Sequence, residues 1–115
     1  MNISKVAEVL EGSVVACASA TDREVGAVVA SDLMSDVLLV DADEMLLLSS
    51  LASDQVLRTA HVVGAMGVVI HDSKPLPASM LAVSEQLNIP LVSSPLSKYE
   101  SCVRIHQALE SEKNG

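Results

Sequence analysis

Apolar and polar positions along this chain follow two rhythms, one of period 3.6 and one of short uninterrupted apolar runs. Ile3, Val6, Ala7 and Leu10 recur at i, i+3, i+4 and i+7, the spacing of one helical face. Asn2 is placed to cap that helix and Gly12 to end it. Residues 13–17 are short and rich in Val, which predicts a strand, and a polar connection over 20–24 leads to a second strand over 25–30. Ser31 offers an N-cap, with Asp32 in the first turn where the helix dipole favours a carboxylate. Leu33, Met34, Val37 and Leu38 form the apolar side of the short helix that follows. After the acidic turn Asp41, Asp43 and Glu44, the wholly apolar run 45–48 is that of a central strand.

The second half repeats the scheme. Ser53 opens a helix whose Val56, Leu57, Ala60, Val63 and Gly64 share a face, and Gly67 breaks it. Residues 68–70 are a strand, and 71–74 a polar loop. Pro77 suits the first turn of a helix over 78–87, with Met80, Val83 and Leu87 inward and Asn88 as its C-cap. The last strand spans 89–92. Ser97 and Glu100 form a capping box that starts a helix with Cys102, Ile105 and Leu109 inward, and 111–115 read as a frayed, disordered tail. Helix and strand alternate, so the expected fold is α/β: a small three-layer α/β/α domain with a mostly parallel sheet, one domain over 1–110.

Composition narrows the function. The apolar set contains no Phe or Trp and only Tyr99, so the core rests on aliphatic side chains and Met. Such a chain has no aromatic faces on which bases could stack. Seven Lys and Arg stand against 15 Asp and Glu, for a net charge of −8, which argues against nucleic acid and against an anionic membrane surface. Cys17 and Cys102 lack metal-ligand spacing and fit a reduced pair in a cytoplasmic protein. The first residues do not form a signal peptide, and no apolar run approaches the ~18 residues of a membrane span.

Candidate chemistry gathers where strands end. In open parallel sheets, ligands bind beyond the carboxyl ends of the strands. The loops there carry Ser31 and Asp32, Ser49 and Ser50, His71, Asp72 and Ser73, and Ser93 and Ser94. Hydroxyls and helix N-terminal amides converging on one edge can hold an anionic or hydroxylated ligand. Ser and Asp are also common cap and turn residues; their repetition at four strand ends is what points to a site. His71, Asp72 and Ser73 invite comparison with a hydrolytic triad, but adjacent loop residues rarely face one another and no nucleophile elbow is present. A glycine-rich phosphate loop and a dinucleotide fingerprint are equally missing. The residues therefore predict no catalysis, no metal and no bound cofactor.

From Gly67, the stretch GVVIHDSKPLPASMLAVSEQLNIPLVSSPLSKYESCVRIHQAL resembles the second half of the DRTGG domain, and ASDLMSDVLLV from Ala30 resembles a segment of short stand-alone proteins of that type. The resemblance implies the fold of the N-terminal domain of HPr kinase/phosphorylase, a module also found in phosphotransacetylases and in pyrophosphatases that carry CBS domains. It implies a regulatory accessory role, sometimes near adenine nucleotides. The chain departs from the family where members carry Thr-Gly-Gly: here His71, Asp72 and Ser73 follow the strand. Glycines at that point would permit positive φ or close approach to a ligand. Asp22 and Arg23 lie in an early loop and do not correspond to the first two letters of the family name. The expected function is a non-catalytic regulatory domain binding a nucleotide or phosphorylated metabolite at the strand-end loops. The alternative is a homodimeric interaction module, an adaptor for a separately encoded enzyme.

Overall fold

A computed structural model describes residues 1–114 and shows five α-helices, one 3-10 turn (Ala18–Ala20) and a sheet of five strands in the order β1-β5-β4-β3-β2. In chain order the elements are α1 (Ile3–Val9), β1 (Ser13–Ala16), β2 (Ala27–Ala30), α2 (Met34–Val37), β3 (Met45–Ser49), α3 (Asp54–Val63), β4 (Gly67–Ile70), α4 (Ala78–Leu87), β5 (Leu91–Ser93) and α5 (Lys98–Asn114). Strands β2 to β5 are mutually parallel, each joined to the next by a helix, and β1 runs antiparallel along the outer side of β5. Crossovers of one hand that step in one direction set α2, α3 and α4 on the same face of the sheet, and α1 and α5 cover the other.

Alternation along the strands divides the core into two. Met45, Leu47, Val68, Ile70 and Leu91 pack under α2, α3 and α4 through Met34, Val37, Val56, Leu57, Ala60, Met80 and Val83. Leu46, Leu48, Val69 and Val92 pack on the other face under α1 and α5 through Ile3, Val6, Leu10 and Ile105. β3 and β4 are buried along their whole length. Aliphatic residues on both faces explain why these strands read as continuous apolar runs rather than as alternating ones.

Several local expectations shift by a residue or two. β1 ends at Ala16 because Cys17 turns into the left-handed region (φ 58°), where its thiol donates to Asn88 Oδ1 at 3.3 Å. β2 begins at Ala27, since the Gly26 and Ala27 amides both donate to the Glu44 carbonyl (2.8 and 3.2 Å) and interrupt the ladder there. α2 starts at Met34 with Leu33, not Ser31, as its N-cap, and Ser53 precedes α3 without making a side-chain cap bond. Pro77 is the N-cap of α4, one place before the first turn. Asn88 does close α4 in the left-handed conformation (φ 58°), and Asn2 caps α1 through the Lys5 amide at 2.9 Å. Only half of the capping box forms: Ser97 Oγ accepts the Glu100 N–H at 3.1 Å, while the Glu100 carboxylate accepts from Arg104 at 3.3 Å. α5 continues to Asn114, through most of the segment expected to fray, and Gly115 lies outside the described residues.

Two glycines are there for close approach. A Cβ on Gly12 would stand 2.5 Å from the Ser93 carbonyl oxygen, because the chain leaving α1 crosses β5 at backbone contact. A Cβ on Gly67 would stand 2.7 Å from Ile3 Cδ1, the free end of a side chain. Both cysteines are free thiols, and burial together with the nearby Glu85 carboxylate pushes the Cys17 thiol up. Among the described residues no helix is long and apolar enough to cross a membrane.

Candidate functional site

Because β2 to β5 point the same way, their carboxyl ends open on one edge, and the four predicted loops do meet there. The residue there with the most polar partners is Asp32, the second residue past β2. Its Oδ1 accepts from the Ser49 hydroxyl at 2.9 Å and the Ser50 amide at 2.7 Å, and its Oδ2 from the Ser50 hydroxyl at 2.8 Å. Lys98, the first residue of α5, reaches the same oxygen at 3.4 Å. Partial burial would raise the Asp32 pKa. The Ser50 and Ser49 donors and the Lys98 charge outweigh it, and hold the carboxyl well below the usual carboxylate range. The β2 and β3 ends and the start of α5 are thus tied to one carboxylate.

Ser31 supports this turn rather than facing a ligand. Its hydroxyl accepts the Leu33 amide at 3.1 Å, a short side-chain turn that sets Asp32 toward β3. Ser49 is fully buried, and its hydroxyl also accepts the Leu51 amide at 3.1 Å.

The β4 end is built differently. His71 continues the ladder by donating its amide to the Ser49 carbonyl at 3.1 Å, and the residue is 1% exposed. Asp72 and Ser73 both adopt left-handed backbone, with φ of 66° and 53°. That fold-back lets the Asp72 carboxylate accept from His71 Nδ1, so these neighbours do face one another, contrary to the expectation for adjacent loop residues. Two consecutive non-glycine residues with positive φ are uncommon and each costs on the order of 1 kcal/mol. The segment is held by two backbone bonds to the β5–α5 connection: Asp72 N–H to Leu96 O at 2.8 Å, and Ser73 N–H to Ser94 O at 3.0 Å. Ser73 does not join His71 and Asp72 in a triad; it bonds through its backbone amide to Ser94 instead.

With Nδ1–H committed to the carboxylate, His71 Nε2 is left without a partner, buried among the described residues. Ser101 Oγ, on α5, is the other such atom. His71 follows Val69 by two residues on the α5 face, and Ser101 precedes Ile105 by one helical turn, so both project into the same layer toward the strand-end edge.

Ser93 and Ser94 serve the fold. Ser93 lies on β5 opposite Ser13 of β1. Ser94 is 1% exposed, donates its hydroxyl to the Leu10 carbonyl at 2.8 Å and accepts the Leu96 amide at 3.2 Å, tying the end of α1 to the loop before α5. The predicted residues therefore separate into a joined set (Asp32, Ser49, Ser50), a neighbouring pair (His71, Asp72) and supports (Ser31, Ser73, Ser93, Ser94). Lys98 belongs to the joined set and was not foreseen. Its only signal in the sequence is a basic residue just after the capping Ser97, at the mouth of a strand-end loop. Among the described residues no group of three His, Cys, Asp or Glu is placed to hold a metal ion.

The chain matches no protein-family model and none of the curated proteins.

Proposed function

We propose that this chain is a non-catalytic regulatory domain of DRTGG type that binds a small phosphorylated ligand, of which a nucleotide is the model, across the strand-end edge. The observation that carries the reading is the Asp32 carboxylate, held by Ser49, Ser50 and Lys98 beside the paired His71 and Asp72. Such a site combines both halves of nucleotide recognition. The Lys98 ammonium and the first-turn amides of α3, left without a side-chain cap by Ser53, suit phosphate oxygens. Asp32 and Asp72, each with a half-exposed carboxylate, suit ribose hydroxyls. The two left-handed residues Asp72 and Ser73 favour the DRTGG reading, since glycines stand at those positions in that family and glycine is the residue such backbone prefers. Strained backbone of this sort clusters at ligand-binding loops. A regulatory rather than hydrolytic role is supported by the burial of His71, whose imidazole no substrate reaches from solvent without opening the core.

The test is thermal unfolding in the presence of mono-, di- and triphosphate nucleotides and common sugar phosphates. A ligand at 100 times its Kd adds about 2.7 kcal/mol, which moves the midpoint of a domain this size by about 10 °C. The expected outcome is such a shift for at least one nucleotide, lost in Lys98→Ala and in Ser50→Leu. No shift across the panel at millimolar ligand would overturn the proposal.

A further inference from the structure

β2 is one of the two edge strands of the sheet, and its free side carries none of the devices that keep an edge strand single. Ala27, Val28, Val29 and Ala30 include no charge, no proline and no bulge. The Ala27 and Ser31 amides donate to Glu44 and Leu48 of the β3 side, so odd-numbered residues face β3 and the N–H and C=O of Val28 and Ala30 face outward. Among the described residues no backbone bond outside the β2–β3 ladder engages them.

The surroundings of this edge are apolar on both faces. On the α5 side a groove of about 370 Å³ runs along the strand, walled by Val28, Ala30, Cys102, Ile105 and Leu109, with His106 as its one titratable imidazole. On the other side the crossover that leaves β2 exposes Leu33 (57%), Leu38 (50%) and Leu39 (83%). Exposed apolar side chains gathered beside one strand edge are the kind of surface a partner covers.

We propose that this edge is the interface of a symmetric dimer, in which β2 pairs antiparallel with β2 of a second copy and the two sheets join into one. The occupant is set by symmetry. Val28 and Ala30 lie equally far on either side of Val29, so a two-fold axis through Val29 sets each opposite the other and satisfies all four outward groups at once. The same axis sets Gly26 opposite residue 32 of the second copy. Glu44, in contact with Gly26, then lies across from Lys98, which is bound to Asp32. At each end of the strand pair the Lys98 ammonium then stands between two carboxylates, Asp32 of its own chain and Glu44 of the other copy. The strand edge alone is too small for a stable dimer, which buries about 800 Å² per partner. The groove and the exposed leucines beside it supply the remaining apolar surface. The arrangement is isologous and closes at two copies.

Sedimentation velocity of the full chain at about 100 µM, well above typical dimer Kd values, tests this. The expected mass is twice the 12.0 kDa of one chain. Ala30→Pro removes an outward N–H while leaving the β3 ladder intact, and is expected to return the mass to that of one chain with unchanged far-UV circular dichroism. Val28→Lys places a charge in the joined apolar surface and is expected to weaken dimerisation at least about tenfold. If Ala30→Pro unfolds the chain, hydrogen exchange on the wild type decides: the Val28 and Ala30 amides should become more protected as concentration rises. A wild type that sediments as one chain overturns the proposal, and so does a folded Ala30→Pro dimer. Protection of those amides that does not change with concentration overturns it equally. None of these outcomes bears on nucleotide binding.

Discussion

At the scale of single residues, Asp32 carries the most consequence. Its pKa is depressed in the folded state, so its stabilising contribution is complete above the ordinary aspartate value of 3.8 and is lost as pH falls below it toward the folded value. Asp32→Asn removes the charge but keeps one acceptor. With the carboxylate half exposed, the expected loss at pH 7 is only about 1 kcal/mol in urea titrations. The difference from wild type should shrink between pH 4 and pH 2, and a constant difference across that range would show that the charge is not what the donors hold. Ser73 gives the opposite sign. It is exposed and left-handed, so Ser73→Gly relieves backbone strain and should raise stability by about 0.5–1 kcal/mol, read from the shift in urea midpoint. The residue types at the strand ends were legible in the sequence, but their pairing was not. His71 and Asp72 face one another only because φ at Asp72 is positive, a backbone state that neither residue name announces. Lys98 escaped because its contact with Asp32 spans 66 residues and depends on where α5 begins relative to β2.

At the scale of elements, the apolar rhythm located all five helices and all five strands, and the errors lie at their ends. Those ends are decided by backbone bonds across the fold. β5 starts at Leu91 rather than 89 because Asn88 turns the chain, the Ile89 amide donates back to the Ser84 carbonyl at 3.0 Å, and Pro90 has no N–H to give. Ser94 reads as a ligand-facing hydroxyl in sequence, yet the last turn of α1 claims it. The contact between the α1–β1 turn and β5 yields a prediction of its own. Gly12→Ala drives a Cβ into the Ser93 backbone, which cannot yield without moving the strand, and should cost about 2–3 kcal/mol. Gly67→Ala meets only the tip of Ile3, and should cost less than half as much in the same chemical denaturation series. Equal costs would mean that the backbone at Ser93 is more compliant than its place beside β1 implies.

For the whole molecule, the α/β class and the mostly parallel sheet followed from alternation of helix and strand, and the structure has both. The antiparallel placement of β1 against β5 did not follow. A four-residue strand with one buried position carries no directional signal, and its partner is chosen by α1 packing beside α5. The parallel order of β2 to β5 has a functional consequence, since it brings loops from distant parts of the chain to one edge. Asp32, Ser50, Lys98 and Asp72 are neighbours only in that arrangement, while the opposite edge of the sheet holds the turns that join helices back to strands. On the proposed reading, a ligand at the carboxyl edge would touch three connections at once and so alter how β2, β3 and α5 are held together, which is how such a domain would regulate.

Amide chemical-shift mapping by ¹H–¹⁵N correlation spectroscopy, during titration with ATP, tests that placement most directly. Ligand binding at the carboxyl edge predicts shifts confined to residues 31–33, 49–56, 71–74 and 96–100, with Lys98→Ala removing them. Shifts centred on the groove between β2 and α5, or none at millimolar ATP and other phosphorylated metabolites, would contradict it.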